Sequence, residues 1–173
     1  MASIEPEKLV IVHYPHPALR TKGKPVGQVN DLVKRVAARM CQLMHEAPGV
    51  GLAAPQVGLP WRMFVANNTG QPENDTVFIN PKLLNPSSDV SEYDEGCLSL
   101  PDITAMVTRP NAIEIEATNL EGETFRLASD QLPARIWQHE YDHLDAVLIL
   151  DRMTPADKRA NKKKIKLLEE AKV

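Results

Sequence analysis

The stretch at 31–46, DLVKRVAARMCQLMHE, places apolar residues at Leu32, Val33, Val36, Ala37, Met40, Leu43 and Met44. That is the three-and-four spacing of one helical face, and Asn30 or Asp31 can cap its start. Pro48 and Gly49 end the helix, and the segment after it, GVGLAAPQVGLP, reads as a glycine-rich turn. WRMFVA at 61–66 and TVFIN at 76–80 read as strands on either side of a polar loop at 67–75. A second β-rich section follows over 83–118. Within it NAIEIEAT alternates cleanly, the mark of a half-buried strand, and Glu121-Gly122 turns it back into ETFRLA as a hairpin.

Ser129-Asp130 then precedes a strong helical pattern over roughly 131–146, with Pro133 in its first turn, where a missing N–H is tolerated. Residues 5–30 are rich in Pro and Gly and read as extended chain and turns. Beyond Pro155 the tail DKRANKKKIKLLEEAKV is a charged helical candidate. Strands followed by one central helix predict an α+β fold. The expected organisation is one domain over 1–155 and a charged helical tail over 156–173.

Composition narrows the function classes. The chain has 173 residues, 43% of them apolar and 25% charged, with a net charge of −3. A chain of this length buries roughly 70% of its unfolded surface, so it needs no disulfide to hold a core. The absence of a global positive field argues weakly against a nucleic-acid binder. No run approaches the length of a membrane span, and the first residues do not resemble a secretory signal. With only Cys41 and Cys97 present, a reducing cytoplasm is expected and a disulfide is not. Cys41 lies within the first helix and reads as a packing residue. His13, His16 and His45 have no partner spacing and read as surface or packing residues.

The candidate chemistry lies in QHEYDHLD, Gln138–Asp145, which contains the H-E-x-x-H pattern. Residues four apart on a helix sit about 40° apart around its axis, so His139 and His143 share a face and can grip one ion. Leu132, Ile136 and Val147 lie on the same stripe, which makes it the buried face. Glu140 points about 100° away from His139, where it can reach a water as a general base. Two satisfied core histidines are the plain alternative. Catalytic sites of this kind use three protein ligands and an open position. No histidine follows the motif, and the extended H-E-x-x-H-x-x-G-x-x-H pattern is absent. Upstream, the best third ligand is Cys97 in EGCLSLP, since a thiolate binds divalent ions strongly. An inert buried cysteine stays open at this point. A peptidase cutting internal amides would call for a downstream ligand, and a closed structural site for a fourth.

Three strings then converge: GVGLAAPQ (Gly49–Gln56), EGCLS (Glu95–Ser99) and QHEYDHL (Gln138–Leu144). In this order and spacing they resemble the three motifs of the peptide deformylase family. HPALR and Arg109-Pro110 extend the resemblance over residues 8–153. The resemblance implies mixed or antiparallel β-sheets packed around a central helix that carries the H-E-x-x-H motif. It implies a catalytic domain that removes the N-formyl group from the initiator methionine of nascent polypeptides, releasing formate. The implied metal ligands are Cys97, His139 and His143. The implied native ion is Fe2+, with Zn2+, Ni2+ or Co2+ taking its place in preparations. Glu140 would carry the proton, and the Gln56 side-chain amide and Leu98 backbone N–H would stabilise the oxyanion. Val50, Gly51, Tyr93, Leu132 and Ile136 would line the substrate pocket. Gly49 and Gly51 would keep the first motif slim enough for a peptide to lie against it. Glu95 would fix its loop through hydrogen bonds.

The chain departs from the family pattern in places. Ala146 stands for a common Gly and Ile149 for a common Phe, changes expected to touch helix packing. Asp102 stands for a Gly after Pro101, at the expected rim of the groove. Pro48 replaces an acidic residue seen in some relatives, so a carboxylate for Arg109 must come from elsewhere. The tail cations Lys158, Arg159, Lys162, Lys163, Lys164 and Lys166 form either a solvated face or a docking face for the anionic ribosome. The expected partners are formylmethionyl nascent peptides and the ribosome, with no DNA and no membrane. The expected place is a bacterial-type cytoplasm, or an organelle after removal of a transit peptide.

Overall fold

The chain runs α1 (Asp31–Glu46), β1 (Gly51–Ala53), β2 (Met63–Ala66), β3 (Thr76–Leu84), β4 (Val90–Cys97), β5 (Leu100–Pro110), β6 (Ile113–Thr118), β7 (Thr124–Ser129), α2 (Leu132–Leu144), α3 (Ile149–Arg152) and α4 (Pro155–Glu170). The computed structural model describes residues 3–171, so the outer ends of the two predicted segments, 1–2 and 172–173, lie outside the described residues. Five strands form an antiparallel sheet in the order β1-β2-β3-β6-β7, and β4 and β5 form a separate two-stranded sheet. The architecture is α+β with antiparallel sheets.

α1 starts where its sequence places it. The Asn30 side chain accepts a hydrogen bond from the Val33 N–H at 3.1 Å, satisfying one of the donors that a helix start leaves unpaired. Its buried face is Val33, Val36, Ala37, Met40, Leu43 and Met44. This face packs on Leu52, Met63, Val65 and Ile79 of the five-stranded sheet. The other face of that sheet carries Ala53, Phe64, Phe78 and Ile115 and packs on Ala134, Ile136, Trp137 and Leu144 of α2. Phe64 and Phe78 stack there with ring centres 4.7 Å apart. Burying each such side chain contributes about 1.5–3 kcal/mol.

The first motif is not the loop its glycines suggest. Gly51–Ala53 pairs with Phe64–Ala66 as strand β1, and a 3-10 turn at Ala54–Val57 follows. Leu52 faces the α1 core and Ala53 the α2 core, so both faces are buried and no polar alternation marks the strand. His45 also differs from expectation. Its Nε2 lies 2.7 Å from Asp75 Oδ1, tying α1 to the end of the polar loop.

α2, which carries the H-E-x-x-H motif, contacts β1, β2, β6 and β7 of the five-stranded sheet and β5 of the two-stranded sheet. Its buried arc is wider than the predicted stripe and holds Gln138 and Glu140 with Ile136, Trp137 and His143. Leu132 is exposed, because the first turn of the helix reaches the molecular surface. Val147 lies past the helix end and is half-buried. The end itself is a Schellman turn: Val147 N–H donates to Asp142 O at 2.9 Å and Ala146 N–H to His143 O at 3.2 Å. The turn requires a left-handed residue, and Ala146 has φ +62°, while Asp102 has φ +61°. Both departures from the family glycines therefore fall where a side chain strains the backbone. An alanine pays about 1–2 kcal/mol for this conformation, and aspartate adopts it more readily.

α4 lies along the outer edge of β5. Asp157 Oδ2 accepts from Met106 N–H at 3.1 Å, Asn161 Nδ2 donates to Thr104 O at 2.9 Å, and Lys164 Nζ donates to Asp102 O at 2.7 Å. Side chains about one helical turn apart thus satisfy every second residue of an otherwise open strand edge. No helix among the described residues is long and apolar enough to cross a membrane.

Candidate active site

α2 and the turn between β4 and β5 bring three donor atoms to one point. Cys97 Sγ and one nitrogen each of His139 and His143 lie within 4.8 Å of one another, with Cys97 Sγ 3.5 Å from His143 Nε2. The β4–β5 ladder shifts register at Gly96/Cys97, where the strand gives up its regular pairing beside the helix. His139 turns Nδ1 to Glu95 Oε1 at 3.0 Å, leaving Nε2 for the shared point. A carboxylate on the second nitrogen is the usual support of a metal-binding histidine.

Glu95 is the one buried residue of an otherwise exposed or half-exposed β4. Four donors surround it. Arg109 gives Nε to Oε2 at 2.7 Å and Nη2 to Oε1 at 2.9 Å, Arg135 gives Nη1 to Oε2 at 2.7 Å, and His139 faces Oε1. Burial alone raises the Glu95 pKa, but the bonds from His139 and Arg109 outweigh it and hold the carboxyl well below its ordinary range. Burial likewise opposes the charge on Arg109, and its bonds with Glu95 and Asp142 keep it charged. Arg109 Nη1 reaches Asp142 Oδ2 at 2.9 Å. The carboxylates that Pro48 does not supply therefore come from Glu95 and Asp142.

The two histidines titrate in opposite directions. Burial works against a charge on His139, yet its bonds to Cys97 and Glu95 and the charge of Glu140 raise its pKa well above normal. Burial and the neighbouring charges of His139 and Arg109 push His143 well below normal, so it is a neutral ring with a lone pair to offer. One sulfur and two imidazole nitrogens around the shared point fit a divalent ion.

Glu140 is buried, and burial pushes its pKa up to about 7. Among the described residues, its Oε2 and His143 Nδ1 are the buried side-chain atoms with no hydrogen-bond partner. A Cβ on Gly51 would stand 2.5 Å from Glu140 Oε1, and one on Gly49 would stand 2.8 Å from Leu98 Cδ1. These glycines make room for Glu140 and Leu98, where sequence reasoning had them making room for a peptide.

Gln56 is fully buried and held in one orientation. Its Oε1 accepts from Ala53 N–H at 2.9 Å, which leaves Nε2 to face Cys97 Sγ at 3.5 Å and Ser99 Oγ at 3.2 Å. Leu98 lines the same cavity, which has a volume of about 410 Å³. All five predicted pocket residues line it too. Ile136 lies deep, while Val50, Tyr93 and Leu132 are 46%, 54% and 45% exposed and form its rim.

A family model for polypeptide deformylase matches residues 8–159. The chain belongs to the peptide deformylase family. It is 45% identical over 148 residues to the chloroplastic/mitochondrial peptide deformylase 1B of Arabidopsis thaliana, covering 84% of this chain and 54% of that relative. The chain thus spans about half the length of that plant protein. It is 41% identical over 157 residues to the peptide deformylase of Acinetobacter baumannii, covering 91% of this chain and 89% of that one. A crystal structure of a plant peptide deformylase superposes with a TM-score of 0.92 at 40% identity, covering 98% of this chain and 93% of that one. A peptide deformylase from Plasmodium falciparum superposes with a TM-score of 0.89 at 37% identity, covering 92% and 94%.

Sequence reasoning about this deformylase-family site missed Arg135 and Asp142. Arg135 stands four residues before His139 on the same stripe of α2, a spacing that could have flagged it. Asp142 gave no such signal, because its role depends on Arg109, which is distant in sequence.

Proposed function

We propose that this chain is a hydrolase that removes the N-formyl group from the N-terminal methionine of newly made polypeptides and releases formate. The observation that carries the reading is the buried Glu140 carboxyl, with an unpartnered oxygen, beside a Cys-His-His donor set. Cys97, His139 and His143 would hold one divalent ion, ferrous iron in the native protein. When bound, such an ion supplies Lewis acidity and makes hydroxide available at neutral pH.

The chain's own groups do the rest. Glu140 Oε2 takes the proton of the attacking water, and a carboxyl that titrates near neutrality can both accept it and give it back. As the formyl carbon becomes tetrahedral, Gln56 Nε2 and the Leu98 N–H donate to the oxygen that gains charge. Losing one such donor costs about 10²–10³ in rate. Glu140 then passes the proton to the leaving amine. Val50, Tyr93, Leu132 and Ile136 enclose the methionine side chain and exclude water.

The exposed cations of α4, Lys158, Arg159, Lys162 and Lys163, support docking on the ribosome, and Lys164 is committed to β5. Truncation after Met153 should remove a salt-sensitive association, and unchanged ribosome binding would end that idea. We place the protein beside bacterial or organellar translation.

Formate release from a formyl-Met tripeptide, using protein purified without oxygen, tests the reaction, with the acetyl-Met peptide as control. Release from the formyl peptide alone is expected, with one metal per chain. No release from metal-loaded protein would overturn the reading. The metal content of the same sample tests the assignment of iron.

A further inference from the structure

Arg135 makes more bonds across the cavity than its support of Glu95 requires. It leaves α2 one turn before His139 and reaches both strands of the opposite wall. Nη1 donates to Glu95 Oε2 at 2.7 Å and Val107 O at 3.0 Å, and Nη2 donates to Ser91 O at 2.9 Å and Ser91 Oγ at 3.3 Å. Its Cζ lies 5.4 Å from the centre of the Tyr93 ring. Tyr93 is 54% exposed, so core packing does little to fix it and the cation–π stack does more. Tyr93, Leu132 and Arg135 line the 410 Å³ cavity and also border a second surface hollow of about 590 Å³ next to Ser87, Asp89 and Asp130. The three side chains thus form a partition with open space on both sides.

We infer that Arg135 is a specificity-determining residue: by pinning Tyr93 and bridging α2 to β4 and β5, it sets how wide and how deep a side chain the pocket accepts. The inference rests on the deformylase reading and adds a selectivity device to it. A planar guanidinium suits this task because it serves four acceptors and a ring face at once, which a lysine ammonium cannot do.

The test compares kcat/KM for formyl-Met, formyl-Phe and formyl-Ala tripeptides of otherwise equal sequence. Arg135→Met keeps the length and apolar bulk of the side chain and removes the fork. It should reduce the preference for Met over Phe by about tenfold, the scale on which pocket shape discriminates, with KM for formyl-Met rising more than kcat falls. Arg135→Lys should not restore the preference. Tyr93→Ala, at an exposed position that leaves the core intact, should relax the same ratio, and the double variant should add little to either single one. A ratio unchanged in both single variants, with a uniform loss for all three peptides, would overturn the inference and leave Arg135 as a support of Glu95 only. If the wild-type chain released no formate at all, the reaction would fall. The selectivity would then be read from the Kd of the matching acetyl peptides, and an unchanged ratio there would overturn the inference as well.

Discussion

α1 and α2 are both amphipathic helices packed on one five-stranded sheet, from opposite faces. The buried face of α1 is wholly apolar, while that of α2 mixes Ala134, Ile136, Trp137 and Leu144 with Gln138, Glu140 and His143. Burying a polar group without a partner costs free energy, so each polar residue of α2 needs a reason. Gln138 has one: its Nε2 donates to Pro110 O and Ala134 O, both at 3.0 Å. Glu140 Oε2 and His143 Nδ1 do not. The comparison teaches that burial alone does not mark function. What marks it is a buried polar atom that the fold leaves unsatisfied.

The sharpest way to break this comparison is to remove one group from each helix and see which quantity moves. Glu140→Gln should lower kcat by about 10²–10⁴, as expected for loss of a positioned acid–base group. It should keep one metal per chain and an unfolding midpoint at or above wild type, since an unpaired buried carboxyl is gone. Met40→Ala on α1 should do the opposite. A fully buried methionine truncated to alanine costs about 2–5 kcal/mol of stability, measurable by urea unfolding. The kcat per folded molecule should stay at the wild-type value. A stability loss from Glu140→Gln matching that of Met40→Ala would mean that α2 is only another packing helix.

The same contrast explains what could be read from the sequence. The α1 face, the β6–β7 hairpin and the pair His139/His143 are visible because each depends on spacing within one element or across one short turn. The ionic network is not, because its bonds join residues 14, 33, 40 and 44 positions apart. A partial signal did exist. β5 buries alternate residues Ile103, Ala105, Val107 and Arg109, so a cation stands where the alternation calls for an apolar side chain. Its partner Glu95 is likewise the buried residue of a strand that is otherwise exposed. Strand β1 escaped notice because it is three residues long and buried on both faces, so Leu52 stands between Gly51 and Ala53 with no polar alternation to mark it. His45 looked solitary because Asp75 is 30 positions away.

The helix ends sharpen the comparison on a smaller scale. α1 passes into Ala47 with helical dihedrals and needs no left-handed residue there, whereas α2 ends through Ala146 at φ +62°. Ala146→Gly should therefore stabilise the protein by about 1 kcal/mol, raising Tm by roughly 2–4 °C for a chain of this size. A lower Tm would mean that the alanine methyl makes packing contacts worth more than the strain it causes.

The smallest effect concerns the two cysteines, one associated with each helix. Cys41 on α1 is half-buried, and burial, helped by Asp75, pushes its pKa up from 9.0 to about 12. Between these values the unfolded chain releases a proton that the folded chain keeps, so this group makes stability fall as pH rises from about 9 towards 12. Below pH 9 it contributes no slope. Cys41→Ala should remove that alkaline slope and cost little at pH 7, about 1 kcal/mol for a small, partly exposed hydrophobe. Because the thiolate is the reactive form, native Cys41 should resist alkylation by iodoacetamide at pH 8. Labelling of the metal-stripped protein should then fall mainly on Cys97, as mass spectrometry of the digested chain would show. Equal labelling of both thiols would mean that α1 opens more readily than its apolar face implies, and the contrast between the helices would lose its simplest control.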